Sequence, residues 1–338
     1  MFNLRKGFTR PPVSRYRPIP SVAPDTGGSL GTCGTESEAA GLLTWTRTID
    51  RALVHRDAIA EVLLTDLIKV SPIEFLVAAQ WPRSHRVYRP DRTGRHDPML
   101  ILETVRQVGL AVSHFGFGVT FERQSVMNNV GFRLNPDNEP RAVESATNLV
   151  IAVRCLDIVR RGTELRSMTV ELRFAADGAK FAIGTGRISW LSRQTYTALR
   201  HRSGRRAAED RLLNKGNIGK PVVLATSVRG AEDSLIEAGG DAGGKSRRMV
   251  VPLDHPVYFD HALDHAPGMV LIDAAWQAVS ELRGDDARLV SCLMQCPTFT
   301  ELGLETSIEL ALTSADTTEF SVEQAGRQTA SGTFRVAV

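Results

Sequence analysis

Two carboxylates and two histidines stand out by residue type and spacing. Glu103 follows His96 by seven residues, Asp273 follows His265 by eight, and each carboxylate falls in a run that reads as a helix. A carboxylate in the first turns of a buried helix can serve as a general base, because loss of solvent raises its pKa towards the working range. An acid there has a plainer use too, complementing the positive end of the helix dipole for about 0.3–1 kcal/mol at an exposed site. Chemistry gains weight because the acid recurs in two parts of the chain, each time behind a histidine. The one-residue difference in spacing comes from Gly268, which has no counterpart between Pro98 and Met99. A glycine at a helix start lets backbone approach a ligand closely, and the free N–H groups there can hold a thioester oxygen.

The elements that must position these residues form an internal repeat. At a constant offset of 170 positions, His85-Arg-Val-Tyr88 lies on His255-Pro-Val-Tyr258, Met99 on Met269, Glu103 on Asp273 and Gln107 on Gln277. Ile101, Val105, Val108 and Val112 make one apolar stripe of a helix, and Leu271, Ala275, Ala278 and Leu282 repeat it. Asp97-Pro98 and Pro267-Gly268 stand where proline suits a first turn. Strand-like runs follow at 126–134, 149–159, 165–174 and 181–190, then at 289–299, 307–312, 319–324 and 329–338. Ala182-Ile-Gly-Thr-Gly-Arg-Ile and Ala330-Ser-Gly-Thr-Phe-Arg-Val read as the same closing strand. Each half is therefore expected to be one long helix followed by an antiparallel meander.

Composition sets the outer limits. The chain of 338 residues is long enough for about two domains, and 42% hydrophobic with 23% charged residues is globular usage. The excess of 41 Lys and Arg over 38 Asp and Glu is too small to mark a polyanion binder, and no nucleic-acid recognition motif accompanies the basic stretches. Cys33, Cys155, Cys292 and Cys296 are too sparse for a disulfide framework and lack zinc-site spacing. Cys292 and Cys296 read as small core residues, and the reducing cytoplasm is the expected compartment. No run approaches the roughly 18 apolar residues of a membrane span. Residues 1–40, with prolines at 11, 12, 18 and 20, read as a flexible arm. Residues 41–195 and 247–338 read as the two halves, joined over 196–246 by a connector that is basic from Arg193 to Lys215 and glycine-rich from Gly239 to Lys245.

One helix wrapped by an antiparallel sheet is the hotdog architecture, and Pro267-Gly-Met-Val-Leu-Ile-Asp-Ala-Ala-Trp-Gln is similar to the helix start of 3-hydroxyacyl-carrier-protein dehydratases. More specific are Arg95-His-Asp-Pro-Met-Leu-Ile-Leu-Glu-Thr-Val-Arg-Gln, Asp264-His-Ala-Pro-Gly-Met-Val-Leu-Ile-Asp-Ala-Ala-Trp-Gln and Leu53-Val-His-Arg. Together, over residues 50–338, these resemble the A-factor synthase family of bacterial γ-butyrolactone hormone biosynthesis. The resemblance implies an α+β double hotdog whose two repeats pack as a pseudo-dimer, as a monomer or a homodimer. It also implies transfer of a β-ketoacyl group from acyl carrier protein to the hydroxyl of dihydroxyacetone phosphate, the ester then cyclising to a butenolide. No cofactor or metal is implied, since phosphopantetheine arrives on the carrier protein. Two residues depart from the family pattern. Asp273 stands where glutamate is usual, retracting the carboxylate by about 1.5 Å, and Trp276 stands where arginine is usual.

By the same resemblance Glu103, Asp273, His96 and His265 are the expected catalytic residues, paired across the halves as His265 with Glu103 and His96 with Asp273. Arg95, Arg106, Gln107, Gly268 and Gln277 complete the site as substrate-binding residues, with Gly268 the preferred oxyanion position. Arg106 lies one helical turn beyond Glu103, and arginine's planar fork suits the phosphate of either substrate. Arg83, Arg86, Arg89, Arg92 and Arg95 recur at every third position, a ribbon that the second half lacks. His85, His255 and His261 are weaker candidates. Two other readings stay open: a hotdog dehydratase or thioesterase acting on carrier-protein substrates, and a non-catalytic acyl-binding regulator.

Overall fold

The computed structural model describes residues 40–142, 144–200, 225–226, 228–237, 244–284 and 287–337. The expected N-terminal arm lies outside the described residues but for Ala40, as do 201–224 and 238–243 of the connector. Strands β1 (Leu64–Lys69) and β2 (Glu74–Trp81) precede helix α1 (Met99–Phe117), and β3 (Gln124–Leu134), β4 (Thr147–Arg161), β5 (Glu164–Ala176) and β6 (Ala179–Leu191) follow it. In the second half, β7 (Ser246–Arg248) precedes α2 (Gly268–Arg283), and β8 (Arg288–Gln295), β9 (Thr306–Leu312), β10 (Thr317–Gln324) and β11 (Arg327–Ala337) follow. All pair antiparallel in one sheet of order β1-β2-β4-β5-β6-β3-β8-β11-β10-β9-β7, and the halves join where β3 runs beside β8, Asn129 opposite Gln295 and Arg133 opposite Ser291.

This is the double hotdog that the sequence implied, with two corrections. The expected helix-then-meander is incomplete, because the first strand after each helix lies beside the last, β3 beside β6 and β8 beside β11, leaving β4–β6 and β9–β11 as the consecutive meanders. Strands also precede each helix, and the sequence reading missed them. Lying between β1 and β4, β2 is buried along nearly its whole length, so Phe75 to Ala79 form a continuous apolar run without the alternation that marks a half-exposed strand. The expected strand to residue 299 stops at Gln295, two residues before Pro297, which has no ladder donor.

Both helices lie among buried apolar side chains. Asp97 Oδ1 accepts the Met99 N–H at 2.8 Å at the start of α1, and Gly118, with φ of 68°, ends the helix by returning its N–H to Ser113 O. Where α1 crosses β6 the strand carries Gly184 and Gly186, and a Cβ on Gly184 would stand 2.5 Å from Val105 Cγ2. In the second half Trp276 fills the corresponding space against Phe334, ring centroids 5.7 Å apart.

The duplication extends to individual hydrogen bonds. Gln107 Oε1 accepts Leu63 N–H at 2.9 Å, and Gln277 Oε1 accepts Leu235 N–H at 2.8 Å. The His85 and His255 Nδ1 atoms each accept two main-chain N–H groups, from Val87 and Tyr88 and from Val257 and Tyr258. Their Nε2 atoms meet Glu61 at 3.3 Å and Asp233 at 3.0 Å. His85 and His255 are therefore loop clamps. Cys155 and Cys292 are buried, as core cysteines should be, and Cys296 is partly so. Among the described residues, no helix is long and apolar enough to cross a membrane.

Candidate active site

Asp50 caps a 3-10 turn over Arg51–Val54, its side chain accepting Ala52 N–H at 2.9 Å, and His55 ends the turn in the left-handed region at φ 51°. That reversal sends the next side chain, Arg56, into the interior. Its Nη2 and Nε donate to Glu103 Oε1 at 2.7 and 3.2 Å, and its Nη1 reaches Val257 O at 3.0 Å and Asp260 Oδ1 at 3.3 Å in the second half. Arg106 closes on the same carboxylate, Nε to Oε2 at 2.9 Å and Nη2 to Oε1 at 2.8 Å, and Gln107 Nε2 donates at 2.7 Å. Burial pushes the Glu103 pKa up, but Arg106 and Arg56 outweigh it and hold the carboxyl well below the usual range. The expectation of a base with a raised pKa is thus overturned at Glu103, whose oxygens already accept from five N–H donors.

Across the halves, Asp260 Oδ1 accepts His261 Nδ1–H at 2.5 Å and Oδ2 accepts Asp57 N–H at 3.0 Å. Burial opposes ionisation of Asp260, but His261 and Arg56 hold its pKa below the ordinary value. The Arg106 side chain is 20% exposed and that of His261 32%, so this set opens to the surface. Nearby, His55 Nε2 meets His114 Nε2 at 2.8 Å, and His114 Nδ1 lies 2.7 Å from Val119 O. A carbonyl only accepts, so His114 carries its proton on Nδ1 and receives the His55 Nε2–H, assuming both rings neutral. Burial, then His114, Arg106 and His261, push the His55 pKa down to about 3.

The second-half counterpart is closed. Asp273 has no exposed side chain and pairs with Arg229 (Nη2 to Oδ1 2.9 Å, Nε to Oδ2 3.2 Å) and with Tyr258, whose hydroxyl donates at 2.5 Å. Arg229 Nη1 also donates to Asp97 at 2.6 Å, and its guanidinium lies over the Tyr88 ring. Burial raises the Asp273 pKa and Asp97 adds to the rise, against the pull of Arg229. Here two carboxylates share one guanidinium, whereas Glu103 and Asp260 share Arg56 and Glu103 has Arg106 besides. The first set has the freer guanidinium: Arg106 Nη1 makes no bond among the described residues, whereas buried Arg229 spends four of its five N–H donors, on Asp273, Asp97 and Val228 O.

The other expected site residues lie elsewhere or are already engaged. His265 pairs with Asp264 and Tyr196 under Arg200 and packs on Phe299, and His96 bonds Thr147 Oγ1 at 2.7 Å with its ring against Trp81. Neither expected pairing, His265 with Glu103 or His96 with Asp273, is made as a contact. Gln107 and Gln277 spend their amides on Glu61 and Leu63 and on Asp233 and Leu235, so they brace the helices. Arg95 faces Glu139 at 3.9 Å. Of the arginine ribbon, Arg86 and Arg89 lie 3.5 Å from Asp233, within the stretch expected as connector, and Arg83 donates to Glu144 O. Met127 lies against Gly268 at the start of α2, which has no side-chain cap. The sequence reading missed Arg229, Asp260 and the role of Arg56. Arg56 stood in the Leu53-Val-His-Arg segment, but its counterpart Arg229 is offset by 173 positions, outside the register that exposed the repeat.

In this double hotdog each helix carboxylate binds an arginine that also contacts the other half, Arg56 to Asp260 and Arg229 to Asp97. Residues 38–192 and 222–338 match the A-factor biosynthesis hotdog domain, and the chain belongs to that family. It is 35% identical over 240 residues to the 2-oxo-3-(phosphooxy)propyl 3-oxoalkanoate synthase of Streptomyces virginiae, covering 70% of this chain and 78% of that protein. The synthase of the same name from Streptomyces coelicolor is 29% identical over 236 residues, covering 70% and 73%. Among solved structures, an acyl-ACP thioesterase from Bacteroides thetaiotaomicron superposes with a TM-score of 0.51 at 13% identity, covering 78% of this chain and 98% of that one, a likeness of fold.

Proposed function

We propose that the protein is a cytoplasmic acyltransferase that condenses a β-ketoacyl group, delivered by acyl carrier protein, with the hydroxyl of dihydroxyacetone phosphate, and that it does so at Glu103. The product is the 2-oxo-3-(phosphooxy)propyl 3-oxoalkanoate for which the Streptomyces relatives are named. The observation that carries the choice of site is Arg106, bound to a buried carboxylate on one side and open on the other. A guanidinium held flat in this way presents its remaining N–H donors to a phosphate without further ordering. At Asp273 a bound phosphate would meet two carboxylates and one fully buried guanidinium with four of its five donors engaged.

Acyl transfer to an alcohol also needs donors for the oxygen that becomes negative. The uncapped amides beginning α2, beside Gly268, are the donors we assign, and the Met127 side chain must move for a thioester to reach them. Supplying β-ketoacyl carrier protein with and without dihydroxyacetone phosphate, and weighing the products, tests the reading. Phosphorylated ester should form only with the triose phosphate. Release of free β-keto acid alone would replace the acyltransferase by a thioesterase.

A further inference from the structure

We propose that His261, oriented by Asp260, is the acid–base residue of the transfer, while Glu103 holds Arg56 and Arg106 in position and takes no proton. The inference rests on the acyltransferase reading above and names a residue that the repeated helix motif does not contain. Asp260 Oδ1 lies 2.5 Å from His261 Nδ1. An ionised carboxylate only accepts, so the proton of the neutral ring sits on Nδ1 and the lone pair on Nε2. That Nε2 makes no bond among the described residues, and the ring is one-third exposed.

The orienting carboxylate is fixed on every side. Its side chain is 2% exposed, Asp57 N–H holds Oδ2 at 3.0 Å, and Arg56 Nη1 stands 3.3 Å from Oδ1. Arg56 continues to Glu103 at 2.7 Å. A single chain of ionic contacts thus runs from the first-half helix, across the junction, to a second-half imidazole at the surface. Nothing equivalent serves the other site, where the same offset finds Pro90 and Asp91 in place of Asp260 and His261.

The step balances without a further reactant. His261 Nε2 takes the proton of the triose hydroxyl as that oxygen attacks the thioester carbonyl carbon. The C–S bond then breaks, and the Nε2 proton passes to the departing thiolate, leaving ester, free thiol and neutral imidazole. The charged and titratable groups around the imidazole are Asp260 on its own loop, His55, Arg56 and Asp57 on the facing segment, and Glu103 and Arg106 on α1. His55, pushed down to about 3, stays neutral at working pH.

The test compares wild type, His261→Ala, His261→Gln and Asp260→Asn, with β-ketoacyl carrier protein and dihydroxyacetone phosphate as substrates. Both His261 variants should lose about 10²–10⁴-fold in kcat with the KM for triose phosphate little changed, and the acid limb of the kcat/KM profile should vanish. Added imidazole should restore part of the activity of His261→Ala. Asp260→Asn, which removes the negative charge beside the ring, should move the acid limb to lower pH. If either folded His261 variant keeps more than a third of wild-type kcat with its acid limb intact, the inference is overturned while the acyltransferase reading stands. If wild type itself makes no phosphorylated ester, both fall.

Discussion

Arg106 and Trp276 occupy the same position of the duplicated helix, and their surroundings are opposite. Arg106 lies on Glu103 with part of its guanidinium in solvent, whereas Trp276 is buried against Phe334. One side chain keeps its half open and positively charged, and the other fills the equivalent space with core. On the proposed reading, the first position serves the working site and the second a structural joint.

Arg106→Ala should therefore lower kcat/KM for the triose phosphate by about 10²-fold, since charge-assisted hydrogen bonds are worth roughly 1.5–3 kcal/mol. Arg106→Lys should recover little of it, because a point charge cannot make the fork. Trp276→Arg should add no activity and should lower stability by about 3–5 kcal/mol, since it removes a buried aromatic and buries a charge without a partner. Steady-state kinetics and urea unfolding check both halves of the prediction.

The two helix carboxylates should answer acid differently. Glu103 has a depressed folded pKa, so its stabilisation is present above its ordinary value near 4.5 and is lost as pH falls below that. Asp273 has a raised folded pKa, so its protonated form favours the fold, and that stabilisation is present below 3.8 and lost as pH rises through the folded pKa. At pH 7 Glu103→Gln should cost about 3–5 kcal/mol, because two guanidinia lose their shared carboxylate and Arg56 keeps only the longer 3.3 Å contact to Asp260. Asp273→Asn should cost clearly less, with Arg229 still held by Asp97, and should leave ester formation within a few-fold of wild type. Equal losses in denaturant titrations, or an inactive Asp273→Asn, would show that the two positions are not specialised.

Much of the fold was legible because it is written in periodicities: the i, i+4, i+7 stripes of 101–112 and 271–282, and alternating strands such as β5 and β10. The carboxylates were legible because the repeat keeps them in register. The site's other members were not. Arg56 and Asp260 sit on turns whose direction is set by a left-handed residue and by contacts between segments some 200 positions apart, and neither leaves a local pattern. Nor does spacing reveal ionisation. Burial alone would raise the Glu103 pKa, and Arg106 on the same helix together with Arg56 from another element turns the shift downward.

The β6 glycines offer a test of the first-half packing. A methyl on Gly184 would lie 2.5 Å from Val105 Cγ2 and 3.0 Å from Phe174 Cε2, both on buried, stiff side chains. Gly184→Ala should cost about 1–3 kcal/mol by overpacking, and adding Val105→Ala should return part of that loss. Additive destabilisation in the double variant would mean that the helix does not rest on this glycine.

Gly268 behaves differently, because the atoms a methyl would meet are the ends of flexible chains. Its Cβ would stand 2.0 Å from Met127 Cε, with Met127 Sδ and Met294 Cε next nearest at 3.5 and 3.7 Å. Met127 can swing aside, and alanine restricts the unfolded chain, so Gly268→Ala should leave stability within about 1 kcal/mol of wild type. The amides beside it are another matter. If they receive the thioester oxygen, a methyl and a displaced Met127 crowd the position where charge develops, and kcat/KM for the β-ketoacyl carrier protein should fall at least about tenfold, removal of one such donor being worth 10²–10³. Triose phosphate affinity, measured by calorimetry, should not change, since Arg106 is untouched. Met127→Ala in the same chain should return activity by clearing the space. A Gly268→Ala protein as active as wild type would move the oxyanion donors away from the start of α2.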